Sequence, residues 1–442
     1  MTRRELLRLD RVTQAKGDVL LPGSKSISNR VLLLSALSKG TTRLEGVLDS
    51  DDTRVMLAAL QQLGVGVVRE STSTVIIESN GCLADATAEL FLGNAGTAFR
   101  PMTAALAFSG GEYVLDGVPR MRERPIGDLV DALRMLGASI EYLGQEGYPP
   151  LKIGKCQTVG DKVRIRGSVS SQFLTALLMA APLVTASSGK GLTIEVDGVL
   201  ISQPYIDITL NMMEKFGVRV QRQLQTDGSP AYWIDTNVSY VSPGIMYVEG
   251  DASSASYFLA LGLIGKGPVT VHGVGRQSIQ GDVQFADHVK AMGASVDMTE
   301  NSITTCGVAV AHGGKLRAFD TDFNLIPDAA MTAAVLAIYA DGPCRLRNIG
   351  SWRVKETDRI QAMVSELTKL GARVESGQDW LQVWPIEDGQ WKDAAIKTYD
   401  DHRMAMCFSL AAFGQSNVTI MDPDCVSKTF PDYFNVYQKL VS

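Results

Sequence analysis

The 442-residue sequence has no CxxC pair and only four histidines. Its six cysteines, Cys82, Cys156, Cys306, Cys344, Cys407 and Cys425, are scattered. That excludes a thiolate metal cluster and argues against a disulfide framework, which a chain of this length does not need; reduced thiols in a cytoplasmic protein are expected. His272, His288, His312 and His402 are not spaced as metal ligands, so no metal is expected. The longest apolar stretches, near 173–184 and 329–340, run about twelve residues, short of the roughly 18 that a membrane span needs. The N-terminus carries Arg3 and Arg4 but no apolar segment behind them, so no secretory signal is read there. Positive charge is not in excess: 42 Lys and Arg stand against 48 Asp and Glu, a net charge of −6, which disfavours a general nucleic-acid binder. Proline is sparse at 16, so no proline-rich linker is expected. What is left is ordinary globular composition, 45% hydrophobic and 20% charged, with length for two or three domains.

What is present is a repeat. Gly64, Gly137, Gly217, Gly293 and Gly371 each follow an amphipathic helical pattern and precede an alternating run. A glycine there is a helix C-cap in left-handed conformation. About thirty to forty residues before each of these glycines, a polar residue opens a stretch that is apolar nearly all round, at Ser28, Asn94, Ser168, Asp251 and Asp328. A sixth copy opens at Asp401. Pro101 falls inside the second stretch, which predicts a helix start near Thr97 or a kink. The chain therefore reads as about six units of roughly 75 residues, each helix, strand, turn, helix, strand. A helix without a polar face must be buried on all sides, whereas its amphipathic partner lies outside. Buried helices with strands around them, three units to a globule, predict two domains, with a break near Tyr240–Met246 at Ser242-Pro-Gly. The strand region near Arg8–Leu21 fits either half. Helix N-termini that converge between the two domains would favour anions.

Basic residues gather beside these helix starts: Lys25 and Arg30 at the first, Arg100 at the second, and Arg120, Arg122 and Arg124 in the turn before the next helix. Arg353, Lys355 and Arg359 crowd one short segment with Glu356, Arg403 follows Asp401, and Lys428 lies near the end. Arginine forks suit carboxylate and phosphate, and lysine suits phosphate as a point charge. Asp328 and Glu356, in the same segments, are candidates for proton transfer. Plainer roles compete for each residue: Asp328 as a helix N-cap, Glu356 as the ion-pair partner of Arg353 or Arg359, Arg124 as a turn residue before Pro125, Arg120 and Arg122 as rim residues, and Asp49–Asp52 as a capping run.

The stretches LPGSKSISNR, LFLGNAGTAFRPMTAA, PRMRERPIG, GSVSSQFLTALLMAAPL, SQPYIDITL, VEGDASSASYFLA, IPDAAMT, WRVKETDR, DDHRMAMCFSL and KTFPDYF resemble, in collinear order, the enolpyruvyl transferase family, in its branch acting on shikimate 3-phosphate. The resemblance implies a two-domain inside-out α/β fold of six βαβαββ repeats, with residues 23–243 in one domain, 1–22 and 244–442 in the other, and the active site in the cleft between them. It implies transfer of the enolpyruvyl group of phosphoenolpyruvate to the 5-hydroxyl of shikimate 3-phosphate, by a monomer, with no cofactor and with glyphosate as an inhibitor. It places phosphoenolpyruvate on Lys25, Gly96, Arg124, Gln172, Arg359, Arg403 and Lys428. Shikimate 3-phosphate is expected on Lys25, Ser26, Arg30, Ser170, Ser171, Gln172, Ser202, Tyr205, Asp328, Ser351 and Lys355. Asp328 is expected as the base toward the 5-hydroxyl, and Glu356, with Lys25 as its rival, as the proton donor to the methylene carbon. Ser351 stands where the family commonly has Asn, and a hydroxyl cannot repeat an amide's pair of hydrogen bonds. The sister enzymes that act on UDP-N-acetylglucosamine carry a reactive cysteine in the loop corresponding to Gly117–Pro125, where this chain has none. A nucleotide-dependent kinase would need a GxxxxGK[ST] loop, also absent. A non-catalytic anion-binding scaffold would not be expected to keep Lys25, Arg124, Asp328 and Glu356.

Overall fold

The computed structural model describes residues 4–84, 86–156 and 159–442. Its α-helices come in six pairs: α1 (Lys25–Ala36) and α2 (Asp51–Gln62), α3 (Gly96–Leu106) and α4 (Gly127–Met135), α5 (Ser171–Ser188) and α6 (Gln203–Lys215), α7 (Ala252–Ile264) and α8 (Phe285–Ala291), α9 (Ala330–Leu336) and α10 (Arg359–Lys369), α11 (His402–Phe408) and α12 (Tyr433–Leu440). The first member of each pair is the apolar one. In α7 every residue is buried, as a helix with no polar face requires. In α10 burial follows one face, Ile360, Met363 and Leu367, at helical spacing. All five repeat glycines take positive φ, from 80° at Gly64 to 121° at Gly293, immediately after a helix C-cap residue.

The strands repeat with the helices. Thr87–Phe91 runs parallel to Glu112–Asp116, which pairs antiparallel with Leu151–Gly154, which in turn pairs antiparallel with Ser139–Tyr142. Four other four-stranded sheets share this order, and a three-stranded sheet completes the set. Each parallel pair needs a crossover, which in the sheet just described is α3. The architecture is the inside-out α/β fold, with apolar helices covered by small sheets.

Two compact units divide the chain: Gly23–Val248 in one, and Pro22 with the described residues before it and Glu249–Ser442 in the other. The crossing falls at 248/249 rather than 243/244. The reason is the short strand Ile245–Tyr247, which pairs in parallel with Lys39–Glu45 and so supplies the first repeat with its opening strand. The N-terminal region forms two strands, both in the second unit. Ala15–Leu20 lies parallel to Lys266–His272, and Leu6–Leu9 lies antiparallel to Val418–Met421.

Some helix starts differ from expectation. The first opens at Lys25 with Ser24 as cap, one turn before Ser28. The third is capped by Ser170, not Ser168. The second starts at Gly96 after Ala95, which gives no side-chain cap, and it continues through Pro101. Asp251 and Asp401 do cap their helices, but Asp328 does not: Ala329 holds the cap position of α9, with no side-chain bond. Helix α5 runs 18 residues because polar residues extend its apolar stretch at both ends, so it is long and apolar enough to cross a membrane by length and composition. It is also 72% buried within the structure, as a core helix is.

Candidate active site

The candidate residues fall into two sets, one in each unit. In the Gly23–Val248 unit, Lys25 sits in the first turn of α1, only 8% exposed, with Nζ 3.5 Å from Asp52 Oδ2. Asp52 lies in the first turn of α2, whose start is set by a capping box between Ser50 and Thr53. Ser26 neighbours Lys25, and its carbonyl accepts from Arg30 Nη1 at 2.8 Å. Arg30 also donates to Thr209 Oγ1 at 2.9 Å, to Thr175 Oγ1 at 3.3 Å and to the Tyr205 carbonyl at 3.1 Å. Four of its N–H groups therefore hold α1, α5 and α6 in register. Burial among neutral acceptors brings its pKa down to about 10. Ser202, just before α6, takes a left-handed conformation at φ 54°, unusual for a residue other than glycine.

Gly96 is the point on which this set converges. A Cβ there would fall 2.6 Å from Arg124 Nη2, 2.9 Å from Arg100 Nη1 and 3.0 Å from Gln172 Oε1. Arg124 is buried, and its Nη1 donates to both the carbonyl and the Oδ1 of Asn94 at 3.1 Å. Arg100 donates to the Pro125 carbonyl at 3.1 Å and so ties the Arg124 turn to α3. Ser170 caps α5 by accepting from Gln172 N, which fixes the helix turn holding Ser171 and Gln172. Arg120 and Arg122 pair with Glu123 and Asp116.

The second unit carries a denser set. Asp328 Oδ2 accepts from Arg403 Nη2 at 2.9 Å; its Oδ1 accepts from Arg359 Nη1 at 3.0 Å and lies 3.5 Å from Lys355 Nζ. Glu356 Oε2 accepts from Arg359 Nη2 at 2.9 Å, and its Oε1 is 3.6 Å from Lys428 Nζ. Asp401, fully buried, receives Arg359 Nε at 2.8 Å and Nη2 at 3.3 Å, and caps α11 by accepting from Arg403 N. Trp352 Nε1 donates to the Pro327 carbonyl at 2.7 Å, which pins the backbone one residue before Asp328. Ser351 lies half-buried next to Trp352. Arg353 is turned to Asp358 and two backbone carbonyls, so Glu356 pairs with Arg359 and not with it.

The electrostatics follow from this packing. Burial alone would raise the Asp328 pKa, but Arg403, Lys355 and Arg359 outweigh it and hold the carboxyl well below its ordinary range. Burial would likewise weaken Arg359 as a cation, but Asp401, Glu356 and Asp328 raise its pKa instead. The result is a dense charge cluster in which Lys355, Arg359, Arg403 and Lys428 meet the carboxylates of Asp328, Glu356 and Asp401. Among the described residues no three His, Cys, Asp or Glu side chains gather as a metal site.

Sequence reasoning missed the supporting residues. Asp52 reads from sequence as part of a capping run, and Asn94 and Asp401 as helix openings, yet each holds one of the candidate cations. Thr175, Thr209 and Tyr257, which bond Arg30 and Arg403, gave no local signal.

The family model described as EPSP synthase (3-phosphoshikimate 1-carboxyvinyltransferase) matches residues 9–437. The 3-phosphoshikimate 1-carboxyvinyltransferase of Bordetella avium (strain 197N) is 64% identical, covering 99% of this chain and 98% of its own length. The protein of the same name in Bordetella pertussis (strain Tohama I) is 67% identical over 97% and 96%. A solved EPSP synthase from Acinetobacter baumannii superposes with a TM-score of 0.76 over 99% of this chain and 98% of its own, at 24% identity, a likeness of fold.

Proposed function

Because the chain belongs to the EPSP synthase family, and so transfers the enolpyruvyl group of phosphoenolpyruvate to shikimate 3-phosphate, we propose that the two residue sets described above act on that one pair of substrates. The observation that carries this reading is the placing of Asp328 and Glu356 against four cations, Lys355, Arg359, Arg403 and Lys428. Phosphoenolpyruvate brings a phosphate and a carboxylate on one small frame, and these cations, with Lys25 and Arg124, match both. Gly96 and Gln172 border it. Ser26, Arg30, Ser170, Ser171, Gln172, Ser202, Tyr205, Ser351, Lys355 and Asp328 hold shikimate 3-phosphate, Arg30 chiefly by keeping Ser26 and Tyr205 in place.

In this reading the chemistry is addition followed by elimination. Protonation of the phosphoenolpyruvate methylene carbon, by Glu356, generates oxocarbenium character at the adjacent carbon. The 5-hydroxyl attacks there as Asp328 takes its proton, giving a tetrahedral adduct. Elimination reverses those roles: Glu356, now a carboxylate, takes a proton back from the new methyl group, and the double bond reforms. The carbon–oxygen bond to phosphate breaks, its electron pair leaving on phosphate, which takes the proton from Asp328 and whose charge the cations stabilise. The same reading has a cytoplasmic monomer, with both residue sets on one chain, and glyphosate, itself a phosphonate and a carboxylate, competing with phosphoenolpyruvate.

The test is phosphate release on mixing the pure protein with both substrates, without added metal or nucleotide. Release that requires both and stops with glyphosate is expected; no release would sink the reading. Gly96→Ala sharpens it. The three atoms nearest the added methyl group are the far ends of the Arg124, Arg100 and Gln172 side chains, so the fold should stand while these side chains shift. A rise of about tenfold or more in KM for phosphoenolpyruvate is expected, roughly 1.4 kcal/mol of lost binding, with a melting temperature near the wild-type value. An unchanged KM would remove Gly96 from the site.

A further inference from the structure

The cations assigned to phosphoenolpyruvate already hold carboxylates. Arg359 bonds Asp328 and Glu356 at 3.0 and 2.9 Å, Arg403 bonds Asp328 at 2.9 Å, and Lys428 lies 3.6 Å from Glu356. The third carboxylate, Asp401, differs from these two. It is fully buried, grips Arg359 at two points and caps α11, so it is a fixed counter-ion. The side chains of Asp328 and Glu356 keep 14% and 8% exposure, and Asp328 does not cap α9. We infer that Asp328 and Glu356 are internal stand-ins for the anionic groups of phosphoenolpyruvate: they occupy its cations in the free protein and are displaced from them when it binds. This rests on the proposed reading and deepens it.

The charge count supports the exchange. Lys355, Arg359, Arg403 and Lys428 supply four positive charges, and Asp328, Glu356 and Asp401 three negative ones. A ligand with a phosphate and a carboxylate adds at least two more negative charges on the same nitrogens. Arg359 already gives Nε and Nη2 to Asp401, Nη1 to Asp328 and Nη2 to Glu356, so ligand oxygens that take up these donors take them from Asp328 and Glu356. The stand-ins keep the cluster from self-repulsion until the ligand arrives. Displacement also has a chemical consequence. The charged groups facing Asp328 in its unit are Arg403, Lys355, Arg359 and Glu356. Once displaced from those cations, Asp328 binds a proton more readily, so it becomes an effective base only when phosphoenolpyruvate is in place.

The test measures equilibrium binding of phosphoenolpyruvate alone to the full-length protein by calorimetry, in wild type, Asp328→Asn, Asp328→Glu and Glu356→Gln. Removing a stand-in charge without removing its shape should tighten binding at least fivefold in Asp328→Asn, although turnover falls a hundredfold or more. Glu356→Gln should shift affinity the same way, and Asp328→Glu, which restores the charge, should return it toward wild type. A residue that only supports the fold, or serves only as a base, would leave affinity unchanged or weaker. Unchanged or weaker binding in both Asp328→Asn and Glu356→Gln overturns the exchange, and if Asp328→Asn does not fold, Glu356→Gln decides alone. Failure of the wild type to release phosphate would instead sink the reaction itself, so the two failures are distinct.

Discussion

Glu356→Gln should slow turnover about a thousandfold, within the range that a lost general acid produces. Glutamine keeps the size of the side chain and an acceptor for Arg359, whose Nη2 lies 2.9 Å from Glu356 Oε2. The fold should therefore survive, and the loss should appear in kcat while KM for phosphoenolpyruvate does not rise. Lys25 is the rival donor. It is paired at 3.5 Å with Asp52 in the first unit, and as a phosphate-binding cation its loss should raise KM. Isotope exchange separates the two. Reversible addition turns the methylene group into a methyl group, so methylene hydrogens wash out into solvent. In deuterated water, Glu356→Gln should stop deuterium entering recovered phosphoenolpyruvate, and Lys25→Met should still permit it at raised substrate concentration. The opposite pattern would make Lys25 the donor.

The repeat and the clustering of the candidate residues were legible because both rest on local rules. A helix that is apolar all round and a glycine after an amphipathic stretch are signals confined to a few residues, and every repeat glycine keeps its left-handed conformation. The candidate cations could be read because lysines and arginines clustered beside apolar helix starts have few other uses. What stayed hidden depends on partners distant in sequence. Ser242-Pro-Gly looks like the end of a domain, yet Ile245–Tyr247 is held in the first unit by a strand 200 residues earlier. Asp328 has the composition of a helix cap, but three cations outcompete the backbone for its oxygens. Asn94 and Asp401 likewise owe their roles to Arg124 and Arg359, 30 and 42 residues away. A local reading finds the candidate cations more easily than the residues that hold them.

Asp401→Ala should be the most destabilising single change in the site. Arg359 is 1% exposed and Asp401 not at all, so the alanine variant leaves a guanidinium buried beside an empty space. Breaking a buried pair from one side costs about 3–5 kcal/mol, and the cap on α11 adds about 1 kcal/mol. Asp328 and Glu356 still contact Arg359, but on Nη1 and Nη2, leaving Nε without its acceptor. A fall of roughly 10 °C or more in melting temperature is expected. Asp401→Asn keeps an acceptor and the cap oxygen, and should lose about half as much. The decisive comparison is the double variant Asp401→Ala with Arg359→Met. With both charges gone and the volume partly refilled, much of the loss should return, because a buried ion pair contributes little net stability over an apolar replacement. A double variant as unstable as the sum of its two single changes would show that Asp401 stabilises through α11 alone. Recovery of stability with no recovery of activity would show that the pair is kept for activity and not for stability.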